Sequence, residues 1–377
     1  MTASPAARMA PARMAPARME GLDIFRGLAV AGMILVNTPG SGAYVWWPLD
    51  HAEWHGFTPT DLVFPAFLCA MGVALGLSFP RTVDAALWKR IAWRTFALIA
   101  IGWAWQLLVR PDLANLRFFG VFPRLGLCYG LTATIAILTA RRAADGHAHL
   151  RWQAIAGAAA ALLLFYWAAM AWGGDLTPEG NLAGWVDRTL VGTQHIWRHG
   201  KDAAGNVVYD PEGLFSTIPA LANVLLGILA ALAWKADPQR ALRWIAIGGV
   251  VLVAIGLALH PLFPLNKKLW TSSFVLLTSG LSALLLVLSV LAMRLPPLRT
   301  ALGPLRVFGM NAILGYILSL LIGLAGMRLG FQARCFAWLQ GWVSDPWLAS
   351  FLYALAVTLI VLAALLPLHR RRIHLRL

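Results

Sequence analysis

Ten runs of mostly apolar residues recur along this chain, and at about 20 residues each they are long enough to cross the hydrocarbon core of a bilayer as helices. They fall near residues 22–38, 61–79, 91–109, 121–140, 152–172, 216–235, 243–263, 271–293, 304–325 and 348–367, two of them shortened by Gly or Pro. The 377 residues are 59% hydrophobic and 12% charged, against roughly 45–50% and 25% in soluble globular proteins, which excludes a pair of soluble domains. The expected fold is therefore all-α: a polytopic integral membrane bundle of about 10 transmembrane helices.

The longest connection, Gly173 to Phe215, is polar, Gly-rich and carries six acids, so it reads as an extramembrane loop with room for a short helix. With the N-terminus inside, twenty Lys and Arg residues fall in inner segments and nine in outer ones, while Arg26 and Arg124 lie within span ends. The positive-inside rule then puts both termini in the cytoplasm and loop 173–215 in the periplasm of a bacterial inner membrane. A formal charge of +15 on so apolar a chain points to anionic lipid rather than nucleic acid. Residues 1–20, with an Ala-Arg-Met-Ala-Pro repeat over Ala7 to Met19, are expected to be a disordered basic tail ahead of one membrane domain, 21–377. Cys69 and Cys128 lie in apolar runs and Cys335 in a predicted loop, a spacing that suggests neither a disulfide framework nor a zinc site.

Ionisable groups are costly at membrane depth, so their placement guides the search for function. They crowd the outer ends. Asn37 closes the first span, Asp50, His51, Glu53 and His55 occupy the next loop, and Asp61 opens the second span. Arg124 begins the fourth, Asn223 lies near the start of the sixth, and Asn266, Lys267, Lys268 and Trp270 precede the eighth. His51 and His55 are four apart, but the order His-x-Glu-x-His is not the zincin order and Gly56 and Pro59 oppose a continuing helix, so no metal is expected. An imidazole suits proton abstraction near neutral pH, which makes His51 the candidate general base. Plainer explanations exist for each neighbour. The histidines could sit in an aromatic belt with Trp46, Trp47 and Trp54; Asp61 could cap a helix; Asp23 and Arg26 could pair along one face; Lys267 and Lys268 could snorkel.

Several separated blocks resemble the transmembrane acyltransferases related to heparan-alpha-glucosaminide N-acetyltransferase, including their shorter bacterial homologues. They are Asp23–Gly27 (DIFRG) with Met33–Gly40 (MILVNTPG), His51–Gly56 (HAEWHG) with Thr60–Pro65 (TDLVFP), Pro123–Leu127, Asp210–Leu214 with Ser216–Pro219, Asn266–Thr271 (NKKLWT) and Phe308–Ile313. The resemblance implies a fold-wide match and an acetyl group moving from cytosolic acetyl-CoA to a glucosamine-type amine across the membrane. Carried over by position, the catalytic histidine falls on His51 and the asparagine at the loop entry on Asn37, whose amide could donate to oxyanion charge. His55 is not carried over. Asp61 is expected to orient His51, and Lys267, Arg124, Trp270 and Asn223 to contact donor or acceptor, with no metal. The large luminal N-terminal region of animal members has no counterpart ahead of the first block, so a bacterial amino sugar is the expected acceptor. O-acyl transfer to a cell-envelope glycan and a sugar or small-molecule transporter are the alternatives, the latter opposed by polar residues at one face rather than the midplane. A homodimer is left open.

Overall fold

The computed structural model describes residues 19–80, 82–142 and 147–373, so most of the N-terminal tail lies outside the described residues. Its helices, in chain order, are α1 (Glu20–Asn37), α2 (Val63–Leu77), α3 (Ala85–Val109), α4 (Val121–Thr139), α5 (Trp152–Gly173), α6 (Leu182–Leu190) and α7 (Thr217–Ala236). They continue as α8 (Pro238–Leu259), α9 (Ser272–Ala292), α10 (Pro296–Ala301), α11 (Gly303–Met310), α12 (Ala312–Arg328), α13 (Phe331–Gln340) and α14 (Pro346–Arg370). Among the described residues the extended structure amounts to a two-residue ladder, Arg141–Arg142 against Ala148–His149, and one isolated bridge.

Among the described residues eight helices are long and apolar enough to span a membrane, and a ninth span is formed if α11 and α12 count as one. The tenth expected span is α1, which has the length, 18 residues, but carries Glu20, Asp23 and Arg26. Two starts move toward the N-terminus because the true caps precede the apolar runs. Asp84 accepts from the Leu87 amide and lets α3 begin at Ala85, and Asp237 accepts from Gln239 and Arg240 ahead of Pro238 in α8. The ninth expected run, 304–325, is broken by a 90° bend between α11 and α12, where Asn311 leaves the helical conformation. The short helix allowed for in loop 173–215 is α6, capped by Asn181. Cys335, expected in a loop, lies in α13.

α7 is the hub, packed on α2, α4, α5, α8 and α9. In lipid, helices associate through close packing and interhelical polar contacts rather than through hydrophobic exclusion, and the α2–α7 crossing uses both. A Cβ on Gly72 would lie 2.0 Å from the Val224 carbonyl oxygen, and one on Gly227 would lie 2.2 Å from that of Cys69. The two backbones therefore touch. Deeper in the bundle, Asn223 of α7 donates to Ser279 of α9 at 2.8 Å.

Gly72→Val or Gly227→Val should destabilise the bundle by at least the ~1–3 kcal/mol of an overpacked core. Thermal unfolding in detergent checks this, with Gly157→Ala on α5, where nothing lies within 4 Å, expected to leave the midpoint unchanged. A Gly72→Val chain as stable as the parent would contradict the backbone contact.

Candidate functional site

Between α1 and α2 the chain forms an irregular loop that is held by its own polar side chains. Thr58 Oγ1 donates to the Asp50 carbonyl at 2.6 Å and Thr60 Oγ1 to that of Pro48 at 3.0 Å. A 3-10 turn, Pro59–Leu62, leads into α2, and Thr58 with Asp61 forms a capping box. Asp61 is thus the third residue of that turn and not its N-cap, a role Thr58 takes. Asp61 Oδ2 accepts from the Thr58 amide at 3.0 Å and from the Ala52 amide at 3.3 Å, with Thr58 Oγ1 3.1 Å away.

Its other oxygen, Oδ1, lies 2.7 Å from His51 Nδ1. The Asp61 side chain is fully buried while that of His51 is 40% exposed, so the imidazole is anchored at one end and reachable at the other. A carboxylate can only accept, so this contact assigns a proton to Nδ1 and directs Nε2 away from Asp61. That is the orientation a general base needs.

The third member arrives from the turn between α8 and α9. Lys267 Nζ lies 2.9 Å from His51 Nε2, 3.0 Å from Nδ1 and 3.8 Å from Asp61 Oδ1. Burial pulls the Lys267 pKa below the ordinary lysine range, against the opposing pull of the Asp61 and Glu212 carboxylates. Asn266 organises the turn: its amide donates to Thr271 Oγ1 at 3.1 Å and its Oδ1 accepts from the Leu269 amide at 2.8 Å. The two loops are stitched together by the Gly56 amide on the Leu265 carbonyl, 2.8 Å, at a φ of +125° that favours glycine.

The remaining expected site residues separate into two groups. Trp270 is fully buried at φ +56°, a left-handed conformation costing a bulky residue about 1–3 kcal/mol. Its Nε1 donates to Asn223 Oδ1 at 2.9 Å, and the Arg124 guanidinium stacks over its ring at 4.8 Å. Arg124, also fully buried, donates to Ser216 Oγ and to the Gly213 carbonyl, the latter at 3.1 Å, while its Nε and Nη1 find no acceptor among the described residues. Arg124, Trp270 and Asn223 thus form one internal column. Asn37 ends α1 with an exposed side chain and shares no hydrogen bond with His51, Asp61 or Lys267 among the described residues. His51 and His55 diverge, His55 Nδ1 accepting from Asn266 Nδ2 at 3.3 Å.

At the opposite face lies a cavity of about 850 Å³. It is walled by the start of α1 (Asp23, Arg26), the end of α2 (Ser78), the first half of α3 (Arg90, Arg94) and the length of α4 from Ile137 up to Leu125. Those twelve residues of helix correspond to about 18 Å of depth. The lining reaches Leu125, the residue after Arg124 in α4. Three guanidinium groups and one carboxylate line the mouth. Arg90 and Arg94, four apart on one helix face, were not singled out in the sequence, since inner-face arginines are equally explained by topology.

A buried ion cluster braces the loop 173–215. Arg117 reaches Asp210 at 2.5 Å and Glu212 at 2.6 Å. Nearby, Asp187 Oδ1 accepts from the Phe215 amide at 3.1 Å, while Oδ2 finds no partner among the described residues. Burial, with the Asp210 carboxylate adding to it, pushes Asp187 up to about 7 from an ordinary 3.8.

Two curated proteins are similar to this chain. Heparan-alpha-glucosaminide N-acetyltransferase of Homo sapiens is 30% identical over 352 residues, covering 79% of this chain and 52% of that protein. Its counterpart in Mus musculus is 28% identical over 354 residues, covering 78% and 52%. The chain spans about half the length of these relatives. No family model matches the chain.

Between pH 4 and 7 the folded chain holds a proton on Asp187 that the unfolded chain releases, so stability falls as pH rises through that window. Asp187→Asn should flatten this slope, as read from unfolding midpoints in detergent across the same range. An unchanged slope would mean that Asp187 is ionised when folded.

Proposed function

We infer the activity from one premise: the chain belongs to the heparan-alpha-glucosaminide N-acetyltransferase-like family. On that footing it transfers an acetyl group from cytosolic acetyl-CoA to the amine of a glucosamine-type sugar at the outer face of a bacterial inner membrane. The observation that carries this reading is the pairing of a reachable, carboxylate-anchored imidazole at one membrane face with a deep cavity opening at the other. Family likeness supports the donor and the acceptor class, and the arrangement of polar groups supports the division of labour between the faces.

The cavity suits the donor's shape and charge. Arg26, Arg90 and Arg94 at the mouth match the phosphates of a nucleotide end, and mainly apolar walls formed by residues such as Phe67, Leu98 and Ile313 match a long thin arm. The thioester is then carried toward the Trp270 layer, while the acceptor amine approaches His51 from the exposed side. His51 Nε2 takes the proton of the attacking amine as the C–N bond forms, and Asp61 holds the ring in the tautomer with Nε2 unprotonated and balances the imidazolium that results. Collapse of the tetrahedral intermediate breaks the C–S bond, and the imidazolium returns its proton to the departing thiolate. Both reactants held at one centre make the transfer effectively unimolecular.

Purified protein incubated with labelled acetyl-CoA and a panel of amino sugars, with mass spectrometry of the products, tests the reaction and separates N- from O-acetylation. His51→Ala should lower the rate by about 10²–10⁴-fold, the span of a lost general base. A His51→Ala enzyme acetylating glucosamine at near the parental rate sinks the assignment. Arg90→Glu with Arg94→Glu should raise the KM for acetyl-CoA about tenfold or more and leave that for the sugar unchanged; equal shifts in both would place the donor elsewhere.

A further inference from the structure

The turn between α8 and α9 combines two features that packing alone does not require. A tryptophan is held in a left-handed backbone conformation, φ +56°, and the lysine three residues before it meets both nitrogens of an imidazole on another loop. Local strain of this kind persists where surrounding contacts over-determine it, and it concentrates at functional sites. The contacts here are explicit. The Trp270 amide closes on the Lys267 carbonyl at 3.2 Å, the indole N–H is fixed by Asn223, the ring meets the Arg124 guanidinium and makes a T-shaped contact with Phe64, and the Leu269 carbonyl accepts from Tyr166 Oη at 2.5 Å. Every hold on Trp270 therefore also fixes the turn that carries Lys267.

We propose that Lys267 stabilises the oxyanion formed at the thioester carbonyl beside His51, and that Trp270 and Asn223 are positioning residues that aim it. The proposal rests on the acetyl-transfer reading and deepens it. Nζ is nearly equidistant from the two ring nitrogens, of which Nδ1 already carries the proton given to Asp61, so it is not committed to the Nε2 lone pair and can turn toward a new acceptor. A carbonyl carbon close enough to lose its leaving group beside Nε2 brings its oxygen into the reach of Nζ. As the amine nitrogen bonds to that carbon, the C=O π pair moves onto oxygen and is met by the Nζ hydrogens. When the C–S bond breaks, the pair returns to re-form the carbonyl of the acetamide, and the thiol departs with the proton from His51. The groups facing Lys267 are His51, Asp61, Glu212, Lys268 and Arg124; the two carboxylates favour its charged form, while burial and the two cations oppose it.

The test uses the full-length protein with glucosamine as acceptor, and Lys267→Met, Trp270→Phe and the double variant. Lys267→Met should lower kcat by about 10²–10³-fold, as for loss of one oxyanion donor, with KM for acetyl-CoA within about threefold of the parent. Trp270→Phe keeps the ring but loses the N–H, and should lower kcat about tenfold in the parent while adding nothing in the Lys267→Met background. Lys267→Arg should recover part of the rate and carry the alkaline limb of the pH profile upward, because Lys267 loses its proton below the ordinary lysine range. If Trp270→Phe does not fold, Asn223→Ala removes the same hydrogen bond. A substrate-free measurement runs in parallel: diethyl pyrocarbonate also forms a tetrahedral oxyanion at His51, so mass-mapped carbethoxylation near neutral pH should slow in the same pattern. Were the parent to acetylate no amine, the acetyl-transfer reading would fail while this labelling still decided the role of Lys267. Additive losses in kcat and in labelling, or a raised KM with kcat intact in Lys267→Met, overturn the proposal.

Discussion

A carboxylate withdrawn from water at the edge of a bilayer must have its lone pairs engaged, and the site is built around meeting that demand for Asp61. One oxygen is used to close the loop against itself through Thr58 and Ala52. The other is left for His51, and the nearest cation, Lys267, balances the charge from a separate turn. Loop closure, ring orientation and charge pairing thus converge on a single side chain. Removing its charge would disturb all three, which explains why structural and chemical roles cannot be divided between its neighbours.

The bundle beneath supplies separation and depth. α2 and α7 touch backbone to backbone, and α9 is tied to α7 through Asn223, so the centre of the protein is rigid where Trp270 inserts. The cavity lies to one side of that centre, between α1, α2 and the α3–α4 pair, and its lining reaches Leu125, the neighbour of Arg124.

Much of the site could be read from the chain itself, although roles shifted. His51 and Asp61 were legible because titratable residues beside an apolar span are rare and their cost demands a reason. Lys267 was legible as a position but not as a partner of His51, since 216 residues separate them. Arg124, Trp270 and Asn223 were expected to contact donor or acceptor; their joining to one another in the interior could not be read from positions 124, 223 and 270. Asn37 was placed at the right end of α1, yet its side chain turns to the surface. The Arg90 and Arg94 pair went unremarked because arginines at inner loops already satisfy topology.

The sequence by itself determined that the chain is a membrane bundle, roughly where each helix runs and which ends gather polar groups, because hydrophobic length and charge placement act locally along the chain. Only the tertiary structure decided which of those groups meet. Loop and turn are brought together by the crossing of α2, α7 and α9 and by single bonds such as Gly56 to Leu265, and no local pattern encodes contacts closed across two hundred residues. The depth of the cavity and the inward turn of Trp270 belong to the same class, for both arise from how whole helices pack rather than from the preferences of any one segment.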